Sequence, residues 1–456
     1  MAMYLLLLAG LLLAFALSFW DSGFELFAPA PLLSIGLIVA VALAMLGLQT
    51  WNHVSLQVET IAVLLIGLLA FAAGSFVVNR KMGVVALKRS ESGYRSPAWK
   101  YALLSAVLLA AIVLRVYETY KIGTELGLDL SHFGNVSREV RRATASFYSS
   151  DGMKLGFGFS LVERQLEKVV TVSGYVCTFL FVRGFVKDEK VLQKLMSGVP
   201  LVLAVAFVLI QGGRATILFF AIDGIVSLFI LKIQDGKSGK KLSKKFFLFC
   251  AALSIICAIA FYYSGILIGR KAGSGIVEYI SFYFGCGAPS LQALLDKGYE
   301  VTTAGVMSFY NLFGFLFKLG FISDYPSYSI AWVDMGGHAS NIFTGFARYY
   351  FDFGYLGVIV LGALSGAVLT VVYRLARGTG FPFFVVLAGC FSAYTFDMAR
   401  EEFVFSRLLS VNWAITLVLM LLLTLFLTTS LRQDIAWLRG RFTRGDSPAM
   451  GNGAAQ

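Results

Sequence analysis

Charge is scarce in this sequence. Asp, Glu, Lys and Arg supply 14% of its residues, against about 25% in a typical soluble chain. Histidine occurs 3 times and cysteine 5 times. Cys177, Cys250, Cys257 and Cys390 fall inside apolar runs and read as small hydrophobes, while Cys286 stands in a loop with no evident partner. Neither a disulfide framework nor a metal-ligand spacing is present, so no metal and no cofactor is expected. The first apolar run, 3–20, lacks a basic leader and a small-residue cleavage site, which makes it a retained helix rather than a signal peptide.

Apolar residues are abundant: 58% of the chain, with a mean hydropathy of +0.78. A hydrocarbon layer of about 30 Å needs roughly 20 consecutive apolar residues in a helix, and lipid leaves no other way to satisfy the backbone of such runs here. The expected fold is an all-α polytopic membrane protein with about eleven spans, at 3–20, 31–48, 60–78, 101–118, 166–182, 196–211, 215–231, 246–264, 353–373, 381–396 and 409–428. These divide the chain into helices 1–4 (1–118), a first large loop (119–165), helices 5–8 (166–264), a second large loop (265–352), helices 9–11 (353–431) and a tail (432–456).

Five short segments, after spans 3, 5, 7, 9 and 11, hold 22 of the 38 Lys and Arg. The bias of basic residues toward the cytoplasm places all five there, with the N-terminus outside and the C-terminus inside. This arrangement requires two spans within 196–231, joined by a tight turn at Gly212-Gly213-Arg214. The net charge of +12 then follows from topology and an anionic inner leaflet, and nucleic acid is not needed as a partner.

The two large loops fall outside, and they carry arginines that topology would keep inside: Arg138, Arg141, Arg142, Arg164, Arg270 and Arg348, with Arg214 in the short turn and Arg400 and Arg407 in the last outer loop. Arg138, Arg141 and Arg142 are spaced to share one face of a helix. That face is either a solvated stripe resting on headgroups or a grip for an anion, since the guanidinium fork pairs with phosphate oxygens. Arg214, beside two glycines, is either an interfacial arginine reaching for headgroups or an anion ligand. The segment 276–297 reads as two short helices broken at Pro289, either flat on the membrane or an aromatic platform for sugars. Asp223, inside the seventh span, reads as a buried hydrogen-bonding partner of a neighbouring helix.

The stretch Gly336-Gly337-His338-Ala339-Ser340-Asn341-Ile342-Phe343-Thr344, followed by Arg348-Tyr349-Tyr350-Phe351-Asp352-Phe353-Gly354-Tyr355-Leu356-Gly357, resembles the segment leading into a late transmembrane helix of bacterial oligosaccharide repeat-unit polymerases, the O-antigen polymerase (Wzy) family. The Arg214 turn is similar to that family's Gly/Ser-Arg turn. Motif-level likeness covers some 40 residues. The paired arginine-x10-glycine motifs of some members occur once, as Arg141 to Gly152, a match that 46 glycines make expected by chance.

The resemblance implies a GT-C-type architecture in a bacterial inner membrane. It implies undecaprenyl-pyrophosphate-linked oligosaccharides as substrates, joined at the outer face without metal or nucleotide into O-antigen, capsule or exopolysaccharide. A chain-length regulator and a flippase would be further partners. In that reading Arg214, Arg270, Arg348 and His338 are the catalytic set. Arg138, Arg141, Arg142, Asn341 and Arg407 bind substrate. The arginines neutralise the leaving pyrophosphate. His338 is either the general base for the acceptor hydroxyl or a structural histidine of the Gly-Gly turn. Asp324 and Asp334 stand in reserve as bases, and Asp352 is expected to cap the ninth span. Two other activities fit the class: an O-antigen ligase with lipid A core as acceptor, and a lipid-linked oligosaccharide flippase. Few charges at mid-membrane depth speak against the transporter.

Overall fold

The computed structural model describes residues 1–48, 54–82, 96–145, 158–234, 252, 255–256, 259–265, 275–301, 303–323, 332–335 and 338–428. Within them, nine helices are long and apolar enough to cross a membrane: α1 (Ala2–Asp21), α2 (Pro29–Gly47), α3 (Val58–Met82), α4 (Ala98–Glu125), α6 (Leu161–Val186), α7 (Val191–Gln211), α8 (Arg214–Gln234), α12 (Gly345–Thr379) and α14 (Val411–Thr428). The apolar α13 (Pro382–Asp397) is shorter, at 16 residues. Four further helices belong to the large loops: α5 (Phe133–Ala145), α9 (Ile276–Gly285), α10 (Gly287–Asp296) and α11 (Val306–Lys318). Two two-residue strands, β1 (Val333–Asp334) and β2 (Ala339–Ser340), pair antiparallel. The chain is therefore a multi-pass membrane protein, helical throughout its described spans. The eighth expected span, 246–264, lies largely outside the described residues, although 259–265 are helical.

α1 shows how a membrane helix sorts its faces. Tyr4, Leu7, Leu11, Ala14 and Ser18 recur at helical spacing and are buried, while Leu5, Leu6, Leu12, Leu13 and Leu17 are exposed. Leucine on both faces is tolerated only where the outer medium is itself apolar. Packing between spans relies on small residues. A Cβ on Gly74 of α3 would lie 1.8 Å from the carbonyl oxygen of Ala363, and one on Gly366 of α12 would lie 2.0 Å from that of Phe71. Glycine at both places lets the two backbones touch. Ser75 donates to the carbonyl of Gly366 at 3.3 Å, and Thr370 donates to Ser75 at 2.9 Å.

Contacts between helix ends define two ends of the bundle. At one, Asn79 donates to Asp21 at 3.1 Å, Arg374 to Asn79 at 2.9 Å, Tyr373 to Glu25 at 2.9 Å and Gln234 to the carbonyl of Ala376 at 2.8 Å. This end carries Arg80, Lys81, Lys232 and Arg377 in final helical turns. At the other, the backbone N–H of Gln57 donates to Gln292 at 2.7 Å, and Arg115 pairs with Glu163 at 2.7 Å in a buried contact. The loop helices gather at this second end.

Two expectations need correction. The break in 276–297 is at Cys286, not Pro289: Pro289 lies in the first turn of α10, where a missing N–H costs no hydrogen bond. Asp352 does not cap its own helix, whose N-cap is Thr344. Its carboxylate instead accepts the backbone N–H groups of Met307 at 3.1 Å and Ser308 at 2.6 Å, so it caps the start of α11 from outside. Two positions later, Gly354 adopts φ 61°, ψ −155° and breaks α12, a backbone conformation that suits glycine alone.

Candidate functional site

Helix α9 is the hub of the second end. Its residues alternate between two neighbours at helical spacing. Tyr279 and Tyr283 face Arg214, whereas Glu278 and Phe282 face His338.

Arg214 opens α8 directly after the tight turn. Gly212 takes φ 81°, and the N–H groups of Gly212 and Gly213 close back on the carbonyls of Leu209 and Val208 at 3.0 and 2.9 Å. This left-handed glycine stop ends α7 and separates the two helices that the basic-loop pattern requires. The arginine is 4% exposed, turned inward rather than toward headgroups. Its guanidinium carbon lies 4.5 Å from the ring centre of Phe261, 5.3 Å from Tyr283 and 5.5 Å from Tyr279. Nη1 donates to the carbonyl of Phe261 at 3.2 Å and to the hydroxyl of Tyr279. Burial, with a further push from Tyr283, raises the pKa of the Tyr279 phenol despite Arg214, which keeps it a neutral hydroxyl. Among the described residues no carboxylate pairs with Arg214. Ring faces offset part of the desolvation of such a cation, but a buried charge ordinarily has a counter-charge.

α5 braces the turn. Ser137 donates to the carbonyl of Ile210 at 3.1 Å and Arg141 to that of Gly212 at 3.4 Å, while Val136 and Val140 pack on Ile122. The three α5 arginines, at helical spacing, reach different partners. Arg138 and Arg142 both bond Glu139, at 2.9 and 3.1 Å, and the Arg138 hydrogen bond in particular holds that carboxyl below the usual range.

Arg348 belongs to a second cluster. It donates to the carbonyl of Met307 at 2.9 Å and to Glu401 at 3.3 Å, and Arg407 donates to the other oxygen of Glu401 at 2.5 Å. Burial pushes the Glu401 carboxyl up, but Arg407 and Arg348, with Arg400, outweigh it and hold the pKa below its ordinary value. Next to it, Glu402 is buried and accepts from the hydroxyl of Tyr349 at 2.8 Å and from the N–H groups of Phe405 and Ser406 at 2.8 and 2.6 Å, which fixes the loop. Phe284 joins the clusters: its ring is 5.4 Å from that of Phe261 and 5.1 Å from the guanidinium carbon of Arg400. Phe284 thus links the Arg214 cage to Arg400, the neighbour of Glu401, while Arg214 and Arg348 bond different partners. Arg270, with Asp324, lies outside the described residues.

His338 sits on the β1–β2 hairpin, whose turn is closed by the Met335 N–H donating to the His338 carbonyl at 3.0 Å. Ser290 donates to Ser340 at 3.0 Å and anchors the hairpin to α10. Nε2 faces Glu278 at 3.4 Å, the ring lies 5.4 Å from that of Phe282, and the buried Nδ1 has no hydrogen-bond partner among the described residues. Cys286 is a free, buried thiol within 3.6 Å of Ser340. Asn341 follows in a half-buried extended stretch. Gly336 and Gly337 lie outside the described residues. Asp223 is fully buried against Gly389, and Ser227 approaches its carboxylate at 3.5 Å.

Sequence reasoning missed Glu278 and Glu401. The signal was present in the second case: Arg400-Glu401-Glu402 is a run of three charges between two apolar helices. Among the described residues, no group of three His, Cys, Asp or Glu could hold a metal ion. No family model, curated protein or solved structure matches this chain.

Proposed function

We propose that this protein polymerises undecaprenyl-pyrophosphate-linked oligosaccharide repeat units into a surface polysaccharide, working from the outer face of a bacterial inner membrane as a GT-C-type glycosyltransferase. The observation that carries this reading is Arg214: a buried guanidinium, ringed by aromatic faces, with no carboxylate partner among the described residues. A site of this kind is suited to an anion arriving from the membrane side, and its low dielectric strengthens the attraction. The second support is the local sequence of the His338–Gly357 stretch.

In this reading the second end of the bundle faces outward, the N-terminus is outside and the C-terminal tail is cytoplasmic. The acceptor sugar hydroxyl attacks the anomeric carbon of the growing chain. The new C–O bond forms as the bond to phosphate breaks, and undecaprenyl pyrophosphate leaves with the electron pair. Arg214, with Arg270, stabilises the charge gathering on that leaving group. Arg348 and Arg407 exchange Glu401 for phosphate oxygens. The acceptor proton passes to His338, oriented by Glu278. Asn341 and the α5 arginines, Arg138, Arg141 and Arg142, contact the glycan and its lipid carrier. A chain-length regulator and a flippase complete the assembly in the membrane.

The test is the glycan ladder of cells lacking the gene. A polymerase deletion keeps single repeat units on the acceptor and loses long chains. Loss of every repeat unit from the lipid A core would instead mark a ligase, and cytoplasmic build-up of lipid-linked units a flippase.

A further inference from the structure

At the end of the bundle opposite Arg214, a cavity of about 740 Å³ opens between α1, α2, α3 and α12. Its size is within the range of about 300–1,000 Å³ that accommodates small ligands. None of the residues proposed for glycosyl transfer lines it. Its walls are of two kinds. Leu17, Leu69 and Phe76 form an apolar side and are exposed on the outer surface of the bundle, so the cavity is open laterally where acyl chains run. Its other side holds Arg80, Arg374 and Asp21.

These charges are not spent on one another. Among the described residues Arg374 donates only its Nε, to Asn79 at 2.9 Å, and Asn79 in turn donates to Asp21 at 3.1 Å. Arg80 lies 5.0 Å from the ring centre of Phe76. No ion pair joins either arginine to a carboxylate among the described residues. Asn79 therefore spaces a cation from an anion and presents both to the cavity. Trp20, 70% exposed beside Asp21, marks the depth: tryptophan collects at the level of lipid headgroups.

We infer that this cavity binds one phospholipid whose headgroup carries both a phosphate and a primary ammonium. The phosphate lies between Arg80 and Arg374, where two guanidiniums supply charge-assisted donors. The ammonium lies on Asp21, and the acyl chains descend along Leu17, Leu69 and Phe76. A zwitterion satisfies both signs of charge. An anionic headgroup leaves Asp21 facing a phosphate, and a choline headgroup brings no N–H donor to the carboxylate.

The experiment uses the full-length protein, freed of endogenous lipid in detergent and titrated with phosphatidylethanolamine, phosphatidylcholine or phosphatidylglycerol, with bound lipid counted by native mass spectrometry. Wild-type protein should hold one phosphatidylethanolamine about tenfold more tightly than either alternative, the worth of one charge-assisted hydrogen bond. Asp21→Asn should erase the preference over phosphatidylcholine and tighten phosphatidylglycerol binding, because the carboxylate no longer opposes an anionic headgroup. Arg80→Ala, which removes an exposed side chain with no hydrogen bond among the described residues, should weaken all three. Glycerophosphoethanolamine, the headgroup without chains, should not compete. Equal binding of the three lipids, an unchanged preference in Asp21→Asn, or full competition by the free headgroup would each overturn the assignment.

Discussion

Arg348 donates to Glu401 at 3.3 Å across 53 positions of sequence. The contact joins the first turns of α12 to the loop between α13 and α14, which carries Arg400 and Arg407. Because Arg407 grips the other carboxylate oxygen at 2.5 Å, Glu401 holds two guanidiniums, one on each oxygen, in positions that phosphate oxygens can also fill. In the proposed reaction the carboxylate holds the pair ready until substrate arrives.

This contact has a pH signature. The folded pKa of Glu401 is lowered, so the ionised carboxylate contributes stability that is fully present above its unfolded value, about 4.3, and is lost as pH falls through the folded value. Thermal unfolding in detergent should show wild type above Glu401→Gln by a constant margin between about pH 8 and about pH 5, narrowing below about pH 4. A margin that is constant down to the lowest pH would remove the carboxylate from the pair.

Arg214 can be probed without touching it. A Cβ on Gly265 would lie 2.3 Å from its Nη1, and the flexible guanidinium is the partner that must give way. Gly265→Ala should therefore push Arg214 out of its cage, with normal protein levels but lost long chains. Arg214→Ala should do the same. Arg214→Lys should restore only part of the activity, since an ammonium lacks the planar fork. Full polymer from Arg214→Ala would reduce the residue to a structural one.

His338 has two nitrogens with different surroundings: Nε2 faces Glu278, and Nδ1 has no hydrogen-bond partner among the described residues. A general base contributes typically ~10²–10⁴-fold in rate, so His338→Ala should leave traces of polymer. His338→Gln keeps a hydrogen-bonding amide that cannot take a proton near neutral pH, and it should be equally inactive. Near-normal polymer from the Gln variant would leave His338 a hairpin anchor, with Asp334 the remaining described carboxylate of the strand pair.

Two residues of the motif that resembles the polymerase family have architectural roles. Asp352 accepts two N–H groups at the start of α11, and Gly354 supplies the left-handed break in α12. Asp352→Ala should cost about 1–2 kcal/mol through the lost cap, seen as a lower midpoint of thermal unfolding, and Asp352→Asn should cost less. No change in either variant would mean that α11 does not depend on this carboxylate.

What was legible in the sequence is what depends on composition along one helix. Apolar runs of the right length appear as helices, and the split at Gly212-Gly213-Arg214 could be read because a glycine pair before an arginine breaks an apolar run. Pairings across the fold were not legible. That Asp352 serves α11, or that Glu278 meets His338 60 residues away, depends on how the loop helices dock, and a carboxylate carries no mark of the partner it will find. The break at Cys286 was misplaced because proline in a first helical turn is harmless, and its presence alone does not say on which side of it the helix starts.

The most direct test is reconstitution. Purified full-length protein in liposomes should be given a chemically defined undecaprenyl-pyrophosphate-linked repeat unit as sole substrate, with products resolved by mass spectrometry. The account predicts lipid-linked dimers and longer chains, matched by equimolar release of undecaprenyl pyrophosphate, and loss of both in Arg214→Ala. Intact substrate after incubation with folded protein, or glycan transferred only when lipid A core is added, would contradict it.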